Sequence, residues 1–200
     1  NRGQALSPTR ETSQEVPAIA CRGVVKQLGR RKFRTEVLHG LDLDVYAGQM
    51  TLLVGPSGCG KTTLISTIAG ILRPDRGSIS LFGTDLGKLG RRATTRFRGR
   101  NVGLVLQQLH LFPALTAAEN VALPLLVLRQ DPALVRARAA SLLEGLGLVA
   151  HGDKYPRELS VGEQQRVAIA RAIAHDPKLI ICDEPTAALD ATSGRLVMQL

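Results

Sequence analysis

An α/β fold is predicted: a mixed or parallel sheet flanked by helices, an antiparallel β layer and a helical subdomain. Three features of the sequence carry this expectation. The runs "MTLLVG" (50–55) and "LIICDE" (179–184) are continuously apolar, end in Gly or an acid and lead into helical patterns, as strands buried on both faces do. Shorter runs, "AIACRGVV", "EVLHGLDLDV" and "SISLFG", carry Gly-rich punctuation that reads as hairpins of an antiparallel layer. From Leu109 to about Arg157 the apolar spacing becomes helical, and "ALVRARAASLLEGLGL" places Leu134, Ala137, Leu142 and Leu146 near one face.

Taken in order, residues 1–17 are polar and aperiodic without an apolar h-region, and read as a flexible leader, not a signal peptide. The ordered chain then divides into a core of 18–108 and 158–200 and a helical subdomain of 109–157. "NVGLVLQ" (101–107) is a third strand candidate. The 200 residues, 44% hydrophobic, suffice for one domain with a small insertion. A net charge of +9 is compatible with nucleic acid, anionic lipid or a polyanionic nucleotide. Lys88, Arg91, Arg92, Arg96, Arg98 and Arg100 fall in one segment free of acids, which reads as a solvated connecting helix; 3% aromatic content argues against nucleic acid. Cys21, Cys59 and Cys182 form no CxxC, so neither a disulfide framework nor a structural zinc site is expected, and a reducing, cytosolic setting fits. The longest apolar stretch, "VALPLLVL" (121–128), falls far short of the ~20 residues of a membrane span.

"GPSGCGKTT" (55–63) matches G-x-x-x-x-G-K-[ST] between the expected strand 50–54 and a helical run through Leu64, Ile65 and Ile68. Gly55, Gly58 and Gly60 let the backbone curl so that N–H groups face a phosphate; Pro56, Ser57, Cys59 and Thr63 complete the cradle. Lys61 can reach the β and γ phosphates, and Thr62 can offer its hydroxyl to Mg²⁺. Cys59 reads as a loop filler. In "LIICDEP", Asp183 and Glu184 end a buried strand on opposite sides of it; in a P-loop protein the first acid holds Mg²⁺ and the second polarises the attacking water. "ELSVGEQQRVAIARA" (158–172) sets a Ser before a helical pattern, a capped helix start that suits an anion.

Together "GPSGCGKTT", "LQQ", "LSVGEQQRVAIARA", "LIICDEPT" and "AALD" occur in the order and spacing of an ABC-type ATPase domain, which the chain resembles from about Ala18 to Leu200. In that family two domains pair head to tail, with ATP between one P-loop and the other subunit's signature turn. The resemblance implies ATP and Mg²⁺ as cofactors, with Thr62, Gln107 and Asp183 serving the metal. It makes Glu184 the general base and Gln107 the sensor of Mg²⁺ and water. Ser160, Gly162 and Glu163 would face the partner's ATP, and Asp190 would join the two sites. A second copy and a transmembrane permease are the implied partners, without nucleic acid, on the cytoplasmic face of the inner or plasma membrane. "LVLQQLHLFPALTAAENVALPLL" (104–126) resembles the subfamily that serves MacB or FtsX-like permeases, including lipoprotein release and DevA-like export. An FtsE-like regulatory clamp is the alternative. A DNA-repair ATPase fits less well, because only 99 positions separate Lys61 from Ser160, too few for the long insertion such proteins carry.

Three departures from the family pattern stand out. Leu28 occupies the position of an adenine-stacking aromatic, for which Phe33 is the substitute at hand. His39, His110, His151 and His175 all precede Asp190, so none is the family's switch histidine; each reads as a surface or loop residue. The chain, opening on Asn1 and closing in "ATSGRLVMQL", reads as lacking its C-terminal part, which puts the activity of the isolated chain in question. Val161 stands where a second Gly is usual. Because a β-branched residue resists positive φ, Val161 is expected to be the first helical residue, with Ser160 as the cap.

Overall fold

The computed structural model describes residues 16–29 and 33–183. Glu184 and Asp190 lie outside the described residues. The chain divides into two compact units. Within the described residues, one covers 16–63 and 73–88 and the other 64–72 and 89–183.

The first unit is built on the expected antiparallel layer. Strand β1 (Ile19–Leu28) pairs with β2 (Thr35–Val45) in a register that sets Ile19 opposite Val45 and Leu28 opposite Thr35. On its other side β1 pairs with β3 (Arg76–Leu81), which carries the two-residue β4 (Thr84–Asp85). The sheet order is β2-β1-β3-β4. Ile19, Cys21, Val24, Leu38, Val45, Ile79 and Leu81 are its buried residues. A register shift between Cys21 and Val24 interrupts the alternation, and the freed N–H of Gly23 donates to Asp42 Oδ1 at 2.8 Å. Gly77 is required here: a Cβ would collide with the carbonyl oxygen of Gly23. Asp75 closes the layer, accepting from the Gln27 N–H at 2.7 Å and pairing with Lys26 Nζ at 3.1 Å. Those bonds, the Gln27 amide foremost, hold its carboxyl below the usual range.

One expected strand is absent. Residues 50–54 form no strand, and Met50, Leu52 and Val54 are about four-fifths exposed (79%, 82% and 84%). A strand buried on both faces depends on ladder partners and on layers above and below it, and apolar composition supplies neither. Among the described residues the parallel pairing is confined to the second unit, between β5 (Val102–Val105) and β6 (Leu179–Cys182).

Helix α1 (Lys61–Ile68) follows the cradle and buries Leu64, Ile65, Thr67 and Ile68. In the second unit, α2 (Arg91–Asn101) is the solvated basic helix anticipated, with Arg91, Arg92, Arg96 and Arg100 exposed. Arg98 instead turns inward to donate to the Gly70 carbonyl at 3.0 Å. Two capped helices follow β5. Helix α3 (Ala117–Val127) starts on a Thr116–Glu119 capping box, and α4 (Pro132–Gly145) on Asp131 with Pro132 at its first position, both well suited to helix starts. Helix α5 (Val161–Ile173) completes the helical part. Ala117, Val121 and Leu125 of α3 meet Val135, Ala139, Leu142 and Leu143 of α4 and Val167 and Ala170 of α5 in one core. The inward face of α4 therefore differs from the expected one: Leu134, 65% exposed, and Ala137 face outward. Residues 135, 139, 142, 143 and 146 follow the 3.6-residue period, whereas 134 and 137 lie about a quarter turn and half a turn from 135.

Candidate functional site

The cradle belongs to the first unit. Gly58 and Gly60 have φ of 80° and 96°, and a Cβ on Gly60 would press on Val37 Cγ1 at 3.0 Å and the Val37 carbonyl at 3.1 Å. Glycine thus permits both the turn and its close seating on β2. The Lys61 ammonium folds back over the loop, donating to the carbonyls of Gly55 at 2.8 Å and Pro56 at 2.9 Å. A phosphate entering the loop competes with these two neutral acceptors for a charge-assisted bond. Cys59 is exposed and packs beside Gly55, whose Cβ would lie 2.8 Å from its sulfur. The loop-filler expectation for Cys59 agrees with that packing. At the end of β1, Leu28 is exposed, and Phe33 is exposed as well.

Gln107 and Asp183 are in the second unit, where the β5–β6 pairing brings their chain positions together. Val105 is opposite Cys182, and the Asp183 N–H donates to the Val105 carbonyl at 2.8 Å. Both residues thus sit at the carboxyl ends of parallel strands, the usual ligand edge of such sheets. Asp183 is 7% exposed and Gln107 is exposed. Gly103 of β5 lies so near α5 that a Cβ would collide with the Ala172 carbonyl. Burial pushes the Cys182 thiol above its ordinary value.

The segment after Gln107 is held by two residues that local sequence reading passed over. Arg171 of α5 donates to the carbonyls of Leu109 at 2.6 Å and His110 at 2.8 Å. His110 adopts φ of 48°, and burial lowers the Arg171 pKa from its ordinary value. Asn120, fully buried, accepts from the Phe112 N–H at 2.8 Å and donates to the carbonyls of Phe112, Leu115 and Thr116 at 3.2, 3.0 and 2.9 Å. The sequence signal for Asn120 was a polar residue on an otherwise apolar helix face. For Arg171 there was none, its acceptors being 61 and 62 positions away.

The signature turn is built into α5. Ser160, at φ −62° and ψ 161°, is the N-cap, and Val161 is the first helical residue, absent from the positive-φ positions. The geometric expectation for Val161 is met, and its side chain is 62% exposed. Ser160 Oγ accepts from the Glu163 N–H at 3.3 Å, while Glu163 Oε2 accepts from the Ser160 N–H at 2.7 Å. This reciprocal cap does not use the Ser160 hydroxyl proton or the first-turn N–H groups of Val161 and Gly162, which are donors of the kind an anion takes. Glu163 Oε1 lies 3.0 Å from Nε2 of His151. The Ser160 bonds first, then His151 and Lys154, lower the Glu163 pKa. His151, expected as a surface or loop residue, instead packs its ring against the turn from the Val149–His151 segment.

The chain thus carries a glycine-curled loop closed by its lysine and, on a separate helix, a reciprocally capped turn. The family described as ABC transporter matches residues 38–187. This chain belongs to the ABC transporter family. It is 46% identical over 188 residues, 92% of this chain and 80% of the relative, to the lipoprotein-releasing system ATP-binding protein LolD 2 of Caulobacter vibrioides. It is 41% identical, over 94% of this chain and 82% of the relative, to the LolD protein of Chromohalobacter salexigens. Among solved structures it is similar to the ATP-binding cassette MJ0796, described as a dimeric post-hydrolysis state bound to ADP and Pi: TM-score 0.86, 34% identity, 90% of this chain and 80% of that one. This supports the ABC ATPase fold read from the sequence. No helix among the described residues is long and apolar enough to cross a membrane.

Proposed function

We propose that the chain is the ATP-binding and hydrolysing subunit of an ABC transporter of the lipoprotein-releasing type, driving a MacB/FtsX-like permease from the cytoplasmic face of the membrane. The observation that supports the reading is the pairing of a glycine-curled loop closed by Lys61 with a prebuilt capped turn at Ser160, which suit one nucleotide's phosphates and the γ-phosphate of another. Two copies set head to tail use both. The relatives' description as lipoprotein-releasing ATP-binding proteins supports the subfamily, and the dimeric cassette supports the arrangement.

In this reading Gly55, Pro56, Ser57, Gly58, Cys59, Gly60, Lys61, Thr62 and Thr63 hold the nucleotide within one core, 18–108 and 158–200, with 109–157 as its helical subdomain. Ser160 and Gly162 donate to the γ-phosphate in the partner's cradle, and Glu163 shapes that turn. The Thr62 hydroxyl, Gln107 amide and Asp183 carboxylate are hard oxygen donors of the kind Mg²⁺ takes, and the buried Asp183 is aligned by β6. A bound Mg²⁺ would neutralise phosphate charge. Glu184 would accept the proton of the attacking water, and Asp190 would join the two sites. Lys61 releases its loop carbonyls to follow the phosphate.

Steady-state ATPase activity of purified protein, compared with Glu184→Gln, tests the assignment. Activity with ATP-dependent dimerisation is expected in the native chain, and a loss of about 10²–10⁴-fold in the variant, whose dimer persists. Equal rates would remove Glu184 as the base; a chain that stays monomeric with ATP would remove the head-to-tail reading.

A further inference from the structure

We propose that His151 is a positioning residue for the signature turn: it holds the Glu163 carboxylate inside the chain and away from the phosphate the turn has to meet. The proposal rests on the reading of that turn as the second half of an ATP site. Glu163 poses a conflict. At the third helical position a carboxylate suits the helix, satisfying the cap and the dipole, yet it places a full negative charge within one turn of a site for a polyanion. At such a distance the repulsion is worth enough to set affinity.

The geometry resolves this conflict with two bonds. One carboxylate oxygen accepts from the Ser160 N–H at 2.7 Å and the other is 3.0 Å from His151 Nε2, so both are turned into the chain. The two side chains are only 23% and 21% exposed, and water competes weakly for the pair. The contact assigns the proton to Nε2. The buried Nδ1 has no hydrogen-bond partner, so the ring has no second tether and its position comes from the backbone beneath it.

That backbone is fastened. The His151 N–H donates to Leu148 O at 2.9 Å and its carbonyl accepts from Lys154 at 3.1 Å. The carbonyls of Gly152 and Lys154 in turn accept from the N–H groups of Ala118 and Ala117, at 2.9 and 2.8 Å, in the first turn of α3. Helix α3 is the element entered from the Gln107 segment. Main-chain bonds and one side-chain pair therefore link that segment to the signature turn. Among the described residues, the neighbours that lower the Glu163 carboxyl pKa through space are His151 and Lys154, and His151 is in direct contact with it.

The test uses His151→Ala, His151→Gln and the double variant His151→Ala with Glu163→Gln, read by melting temperature, fluorescent-ADP binding, ATP-dependent dimerisation, KM and kcat. His151→Ala should bind ADP within about two-fold of the native chain, because the cradle is untouched, while ATP-dependent dimerisation weakens about five- to ten-fold and KM for ATP rises. His151→Gln should recover most of this through its amide N–H. The decisive variant is the double one: with Glu163→Gln the side-chain amide still caps Ser160 but, being neutral, no longer repels phosphate, so dimerisation should recover without the histidine. A double variant no better than His151→Ala, a His151→Ala indistinguishable from the native chain, or a uniform loss of melting temperature and ADP binding would each overturn the positioning role. If the native chain itself fails to dimerise with ATP, the reading of the turn fails and the role of His151 falls with it.

Discussion

The cradle and the signature turn are both helix starts proposed to meet a phosphate, yet they are constructed in opposite ways. The cradle is lined by exposed residues 55–59 and preceded by an exposed segment, with Lys61 parked on its own loop carbonyls. The signature turn closes its cap reciprocally, secures its acid with His151, and is backed by the buried Val167, Ala168, Ile169 and Ala170 of α5. The difference teaches what each must do. A loop that wraps a ligand keeps its bonds exchangeable; a turn that meets a ligand held elsewhere is prebuilt, since preorganisation spares the cost of ordering on contact.

The sharpest way to break this comparison is Lys61→Ala, expected to lower kcat/KM for ATP by about 10²–10³-fold through loss of the charge that follows the phosphate. Nucleotide binding and turnover assays check it; a loss confined to dimerisation would mean the cradle is not the exchangeable partner. Arg171→Leu comes next. Stranding the Leu109 and His110 carbonyls should cost about 2–3 kcal/mol, read as a lower denaturation midpoint, together with reduced turnover from a loosened Gln107 segment. Ser160→Ala should cost about 1 kcal/mol of stability and weaken ATP-dependent dimerisation while ADP binding stays unchanged, which separates the turn from the cradle within one protein. Val161→Gly is the mildest: about 0.5–1 kcal/mol less stable, with the capped geometry kept. Thiol labelling at pH 8 adds a chemical contrast. Exposed Cys59 should react first, and more slowly with nucleotide bound, while Cys21, buried and pushed up to about 11, stays a protonated thiol and unreactive.

Elements whose cause is local were legible beforehand. The cradle's glycines and the Ser160 cap follow from neighbours a few positions apart, and the runs that became β1, β2 and β3 were marked as strands by their own composition and punctuation. The Val161 expectation held because φ sterics act within one residue. By contrast, apolar character at 50–54 promised a buried strand where the segment is exposed and forms none, since a strand needs ladder partners as well as composition. The α4 face was displaced because several assignments of apolar residues satisfy a helical pattern, and contact with α3 and α5 chose among them.

By itself, the sequence determined the motifs and their order, the helix starts, the strands of the antiparallel layer and the membership of the family, while the non-local pairing of β1 with β3 belongs to the tertiary structure. Tertiary structure alone decided which groups hold the motifs in working geometry: Arg171 on Leu109 and His110, Asn120 on the 112–116 loop, and His151 on Glu163. The physical reason is that backbone sterics and capping are settled over a few residues. The satisfaction of buried carbonyls and carboxylates instead depends on which distant segments packing brings within hydrogen-bonding reach.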